Sequence, residues 1–239
     1  MARPLAARCR GAASPEHCGR YRWGVGLLAG KHVVVTGVLT DASLAYGVAQ
    51  LAIAEGARVV LTGAGRGLSI TERAARKLGD DVPVVELDAT VPAHAEAARE
   101  AVAARVPRVD GVLHSIGFAP ASCLGDDFMS AQWDDVRVAM EVSAYSLKML
   151  ADAFVPLMGR GGSIVGLDFD ATQAWPAYNW MGVAKAALES TSRYLARTLG
   201  PRGIRCNLVA AGPIRTMAAK SIPSFASFEE VWAARAPLG

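Results

Sequence analysis

Tyr178 and Lys185 stand seven residues apart in the run WPAYNWMGVAK (residues 175–185), on a stretch predicted to be helical from Tyr178 to Leu199. Seven residues are almost two α-helical turns, so both side chains are expected on one face. A tyrosine hydroxyl can donate a proton or a hydrogen bond to a developing oxyanion. A nearby ammonium favours the phenolate form and can hold a sugar hydroxyl. Taken alone, such a pair is more often a packed tyrosine and a snorkelling lysine on an amphipathic helix. Its meaning therefore depends on what the rest of the chain brings to it.

Turns after the candidate strands carry residues suited to a nucleotide. The first strand-to-helix junction reads TGVLTDASLA (residues 36–45) and lacks the G-x-G-x-x-G fingerprint. Gly37 permits a tight turn, and Ser43 can cap the next helix while its hydroxyl meets a phosphate at the positive helix end. An ordinary strand-to-helix turn with a serine cap has the same residues. The second strand ends LTGAGR (residues 61–66), with no carboxylate for the adenosine ribose; Arg66 either favours a 2′-phosphate or is a solvated loop arginine. Asp88 closes the third strand, where it suits an adenine amino group. HSIGF (residues 114–118) closes the fourth, and Gly117 lets the backbone approach a cofactor closely.

These turns are positioned by an alternation of short β-branched runs with Ala-rich stretches. Strands are expected at His32–Thr36, Arg58–Thr62, Pro83–Leu87, Gly111–His114, Ser163–Leu167 and Arg205–Val209. Helices are expected at Leu44–Glu55, Ile70–Leu78, Ala93–Ala104, Trp133–Met158 and Tyr178–Leu199. The pattern predicts an α/β fold, a doubly wound parallel sheet of Rossmann-like type in the order 3-2-1-4-5-6. Its ligand crevice falls at the carboxyl ends of strands one and four. Residues 25–239 are expected to form this single domain.

Composition narrows the function classes. The chain has 239 residues, 52% hydrophobic and 20% charged, which is ample for a core and excludes disorder over most of it. Every apolar run is interrupted before the roughly 18 residues of a membrane span. The net charge of +3 resides in residues 1–24, where five arginines face only Glu16; the remainder is near −1, which argues against nucleic acid as partner. That basic tail has no apolar signal segment and is expected to be disordered. Cys9, Cys18, Cys123 and Cys206 are widely spaced, as are His17, His32, His94 and His114. This pattern fits reduced thiols in a cytoplasm and gives no metal site.

As a set, Gly37-x5-Ser43-x-Ala45, VVELD (84–88), SIGF (115–118), GSIVGLDF (162–169), Tyr178-x6-Lys185 and NLVAAGPIRT (207–216) resemble NADH-dependent enoyl-acyl-carrier-protein reductases, in their mycobacterial type. The resemblance covers about residues 26–239. The long Tyr–Lys spacing is its specific part, since the wider short-chain dehydrogenase/reductase superfamily usually has Tyr-x3-Lys. Carbonyl-reducing relatives also carry a serine near the end of strand five, where this chain has Asp168 and Phe169. The resemblance thus implies reduction of a carbon–carbon double bond conjugated to a thioester, with hydride from NADH reaching the β-carbon.

It further implies that Tyr178 stabilises the thioester oxygen, Lys185 holds the nicotinamide ribose, and Phe169 walls the reacting end of the substrate. Gly37, Ser43, Leu44, Asp88, Ala89, Ile116, Gly117, Gly212, Ile214 and Thr216 match positions along the cofactor. Met181 and Leu124 match positions beside the acyl chain. The implied substrate is linked to acyl-carrier protein, the implied assembly is a homotetramer, and no metal is implied.

Three features depart from the family pattern. Ala64 stands where relatives often place an aromatic residue against the adenine. Residues 216–239 are shorter than the corresponding mycobacterial segment, which implies ordinary fatty acyl chains more than very long ones. Relatives also continue through another helix and a seventh strand. A general short-chain carbonyl reductase and a catalytically silent nucleotide-binding protein remain alternatives.

Overall fold

The computed structural model of the chain describes residues 26–214, 216, 219, 222 and 225–237; the expected tail at 1–24 lies outside the described residues. Its first half comprises β1 (His32–Thr36), α1 (Leu44–Ala54), β2 (Arg58–Gly63), α2 (Arg66–Leu78), β3 (Val84–Glu86), α3 (Pro92–Ala103) and β4 (Val109–His114). The second half comprises α4 (Trp133–Met140), α5 (Ser146–Phe154), β5 (Met158–Asp168), α6 (Asn179–Leu199), β6 (Arg205–Ala210) and α7 (Phe225–Arg235). One parallel sheet has the order β3-β2-β1-β4-β5-β6, as the alternation predicts. The chain reverses direction across the sheet between β1 and β4, which opens the crevice at their carboxyl ends.

Successive strand residues face opposite sides of the sheet. Val34, Val60 and Val112 enter one core with Val102 of α3, Leu150 of α5 and Leu188 of α6. Their neighbours Val35, Leu61 and Leu113 enter the other core with Ala49 of α1 and Ala75 of α2. Burial on both faces explains why these strands read as continuous apolar runs. The β1–β2 register pairs His32 with Arg58 and Thr36 with Thr62, so both turns of the nucleotide half begin at the same level.

Several elements differ in their bounds from the sequence expectation, among them β5, which starts at Met158 and not at Ser163, and three helical stretches. The helix expected over Trp133–Met158 is α4, a π-helical turn at Glu141–Tyr145, α5 and a 3₁₀ turn at Val155–Leu157, after which Met158 already belongs to β5. Pro156 lacks the N–H that a continuing helix needs. Helix α2 starts at Arg66, four residues before the expected Ile70, because Gly65 takes a positive φ of 48° and turns the chain at once. Helix α6 starts at Asn179, not Tyr178. Ala177 and Asn179 adopt φ of 58° and 48°, and two left-handed residues flanking Tyr178 exclude it from a regular helix.

At the far edge, β6 pairs only with β5 among the described residues, leaving Val209 47% exposed. A seventh strand is not present among the described residues.

Candidate active site

Tyr178 and Lys185 both lie near the carboxyl end of β5, Lys185 beside Leu167 and Asp168 and Tyr178 beside Phe169. Lys185 Nζ donates to the carbonyl of Leu167 at 3.0 Å and lies 3.9 Å from Asp168 Oδ1. The Lys185 and Asp168 side chains are 9% and 4% exposed. Tyr178 is 5% exposed, and its ring centroid lies 4.9 Å from that of Phe169, with the planes at 58°. Tyr178 occupies the N-cap position of α6 and not its first turn, so its place near Lys185 follows from the turn before the helix and not from a shared helical face.

Burial governs the charges here. It pulls the Lys185 ammonium below the usual lysine range, and the Asp168 carboxylate pulls it partly back. It raises the Asp168 carboxyl, and Lys185 opposes that. The Tyr178 hydroxyl is pushed well above the ordinary phenol range, first by burial and then by the Asp168 charge. Desolvation thus disfavours the Tyr178 anion, which leaves the hydroxyl protonated and able to donate a hydrogen bond.

A strained turn holds the tyrosine in place. Gly125 N–H donates to Ala177 O at 2.9 Å, and Asn179 Nδ2 donates to Gly125 O at 3.1 Å. Asn179 Oδ1 also accepts from Trp180 N–H at 2.7 Å. The loop carrying Leu124 is thus clasped to the Tyr178 turn. Met181 faces the end of β4: a Cβ at Gly117 would lie 3.3 Å from Met181 Cε. Phe169, Tyr178, Met181 and Gly117 are brought together around one region, and Leu124 is tied to its rim.

The nucleotide half is built differently from its expectation at one point. Ser43 occupies the N-cap of α1, but its hydroxyl makes no capping bond. It donates to Thr40 O and accepts from Thr40 N–H, so the first N–H groups of α1 have no side-chain cap. Gly37 has φ of 80°, and a Cβ there would stand 1.9 Å from Ser115 O. Only glycine allows this approach of the β1 and β4 turns. Leu44 is the half-buried first residue of α1, and Ile116 packs on the large core.

Asp88 follows β3 with Oδ1 held by Thr90 N–H at 2.9 Å and by the Thr90 hydroxyl at 2.7 Å; Ala89 beside it is buried. These two residues lie at the opposite end of the sheet order from the Tyr178 turn, as the two ends of an extended dinucleotide require. Gly212, with φ of 73°, lies against the Trp232 indole of α7. Ile214 is 42% exposed, and Thr216 Oγ1 accepts from Ala219 N–H at 3.1 Å. Arg66 is exposed at the start of α2. An uncapped helix end, a glycine-only approach and a fixed carboxylate fit a dinucleotide laid across this crevice.

Sequence reasoning missed Trp175, whose ring lies 5.6 Å from that of Phe169 and whose Nε1–H donates to Asp170 O at 2.9 Å. It also missed Ser143, Ser146 and the contribution of His114, which a π-helical turn brings together. A serine spacing of three on a helix gave a weak signal of this. Among the described residues, no group of three or more His, Cys, Asp or Glu is placed to hold a metal ion, and no helix is long and apolar enough to cross a membrane.

A doubly wound parallel sheet with a buried Tyr–Lys pair at its crevice defines the short-chain dehydrogenase/reductase class. The profile described as enoyl-(acyl carrier protein) reductase matches residues 37–239. An enoyl-[acyl-carrier-protein] reductase [NADH] of Mycolicibacterium smegmatis is 46% identical over 228 residues, covering 90% of this chain and 84% of that protein. One of Mycobacterium avium is 43% identical over 227 residues, covering 90% and 84%, and one of Escherichia coli is 38% identical over 204 residues, covering 84% and 78%. The chain belongs to the enoyl-acyl-carrier-protein reductase family.

Proposed function

We propose that this protein is an NADH-dependent enoyl-acyl-carrier-protein reductase that reduces the trans-2 double bond of enoyl thioesters in fatty-acid elongation. The observation that carries the reading is the buried Tyr178–Lys185 pair, held beside Phe169 at the end of β5, in a chain of this family. NADH, when bound, supplies the hydride that reaches the β-carbon of the substrate.

Negative charge then develops on the thioester oxygen, the protonated Tyr178 hydroxyl donates a hydrogen bond to it, and a proton taken from water at the α-carbon completes the saturated thioester. A donor aimed at charge as it develops lowers the barrier more than one that binds the substrate equally well. Lys185 spends one of its three N–H donors on Leu167 O, which fixes its head group and leaves two donors for ribose hydroxyls. Phe169 walls the reacting end, and Met181 and Leu124 border the acyl chain. Gly37, Ser43, Leu44, Asp88, Ala89, Ile116, Gly117, Gly212, Ile214 and Thr216 line the cofactor; the role of Ser43 is to vacate the α1 N-terminus, where the pyrophosphate binds.

The substrate is carried by acyl-carrier protein and has an ordinary chain length, and the enzyme works in the cytoplasm as a homotetramer. Self-association is supported by an apolar face on α4 and α6, where Trp133 and Tyr194 are 70% and 69% exposed. The test supplies the protein with NADH and either a trans-2-enoyl thioester or a 3-oxoacyl thioester. Consumption of NADH with the enoyl compound supports the reading. Consumption with the ketone alone identifies a carbonyl reductase, and cofactor binding without consumption in either case identifies a silent binder.

A further inference from the structure

The π-helical turn at Glu141–Tyr145 organises the end of β4. Ser146 N–H reaches back five residues to Glu141 O, bypassing the Val142 carbonyl. The Ser146 hydroxyl takes that carbonyl instead, donating at 2.7 Å. A serine has one proton, so the contact between Ser146 Oγ and His114 Nε2, also 2.7 Å, must be donated by the histidine. His114 is therefore the neutral Nε2–H tautomer. It is fully buried, and its Nδ1 has no hydrogen-bond partner.

Ser143 of the same turn grips the chain four residues further on. Its oxygen accepts from Phe118 N–H at 2.9 Å, and its hydroxyl donates to Phe118 O at 2.8 Å. On the other side, Ser115 N–H donates to Thr36 Oγ1 at 3.0 Å, which donates to Leu113 O at 2.9 Å. Residues 115–117, the part of β4's extension that faces the cofactor crevice, are thus suspended between His114 and Phe118, and both anchors end in one π-helical turn. A regular α-helix would pair Val142 O with Ser146 N–H, whereas here the Ser146 hydroxyl donates to that carbonyl and the N–H goes to Glu141 O.

We infer that His114 is a positioning residue for the dinucleotide: its Nε2–H bond to Ser146 couples the π-helical turn to residues 115–117 and holds that wall of the crevice in the geometry that binds NADH. The inference rests on the reductase reading. It assigns a purpose to a fully buried imidazole outside the Tyr178–Lys185 pair.

The experiment measures NADH binding to the full chain by fluorescence, without substrate, for the native protein and for His114→Phe, His114→Gln, Ser146→Ala and the His114→Phe/Ser146→Ala double variant. Losing one buried hydrogen bond at this anchor is expected to weaken NADH about tenfold in each of the two disrupting single variants. The double variant is expected to be no weaker than either single one, and His114→Gln, which keeps an N–H donor, to recover most of the affinity. In turnover, the KM for NADH is expected to rise with kcat changing less than about twofold, since the bond acts on binding.

Native-like affinity in His114→Phe, or penalties in the two single variants that simply add, would overturn the inference while leaving the reductase reading intact. If His114→Phe does not fold, Ser146→Ala decides: native-like NADH binding there overturns the inference equally. A native protein that binds no NADH overturns the reductase reading and this inference together.

Discussion

The Phe169 ring lies between two aromatic neighbours, with its centroid 4.9 Å from that of Tyr178 and 5.6 Å from that of Trp175, tilted by 58° to both. Tilted aromatic pairs contribute about 0.5–1.5 kcal/mol beyond their buried area. Trp175 is fixed by its own bond to Asp170 O, so it backs Phe169 against the Tyr178 ring. Trp175→Leu is expected to lower kcat/KM by up to about tenfold, read with an enoyl thioester under steady-state conditions. The Trp175→Phe variant, which keeps a ring, is expected to lose less.

Lys185 and Asp168 are a buried pair in which each holds the other's charge. Removing one partner of such a pair costs about 3–5 kcal/mol, because the remaining charge is left uncompensated. Lys185→Met is therefore expected to lower the urea midpoint and to weaken NADH binding. Adding Asp168→Asn is expected to restore stability but not NADH affinity, which separates the structural role of the lysine from its proposed role at the ribose.

Gly37 and Gly47 make opposite predictions for the same substitution. Gly37→Ala would place Cβ 1.9 Å from the Ser115 carbonyl at a φ of 80°, so it is expected to destabilise by more than about 2 kcal/mol and to abolish NADH binding. Gly47, inside α1, has nothing within 4 Å of its built Cβ, and Gly47→Ala is expected to stabilise by about 0.5–1 kcal/mol. Urea unfolding of the two variants checks both signs.

Burial, seconded by the Lys185 charge, depresses the His114 imidazole from 6.5 to about 3. A histidine that is neutral when folded and protonated when unfolded gives the unfolded state more bound protons between those values. Stability is then full above pH 6.5 and falls as pH drops toward about 3. Between pH 6.5 and 5, above the range in which carboxylates titrate, the melting temperature of the native protein is expected to decline. In His114→Gln that slope is expected to be shallower.

The sheet order, the two-faced strands and the crevice were legible because β-branched runs and Ala-rich segments alternate without exception from His32 to Ala210. Local spacing put Tyr178 and Lys185 on one face and Gly117 at a strand end, and the family resemblance added Phe169 and Met181. What stayed illegible depends on contacts across the fold. The π-helical turn inside the apolar stretch 133–158 accompanies bonds from Ser146 to His114 of β4 and from Ser143 to Phe118 beyond it, which no helical periodicity records. The left-handed residues on both sides of Tyr178 follow from the clasp with Gly125. The lysine near Tyr178 was visible in the motif, while the burial that raises the Tyr178 hydroxyl was not. Ser43 was likewise expected to cap α1, and its turn back to Thr40 is a choice between two local partners that the sequence leaves equal.

The central claim is that a protonated Tyr178 hydroxyl stabilises the oxyanion formed when an enoyl thioester is reduced. It is tested most directly by following NADH absorbance with a saturating trans-2-enoyl thioester, for the native protein and for Tyr178→Phe, with the thioester product identified. The account predicts a saturated product from the native protein. It also predicts a fall in kcat of about 10²-fold in the variant, with NADH affinity unchanged, as expected for the loss of one oxyanion donor. Folded native protein that binds NADH but does not oxidise it, or a variant that turns over as fast as the native protein, would contradict it.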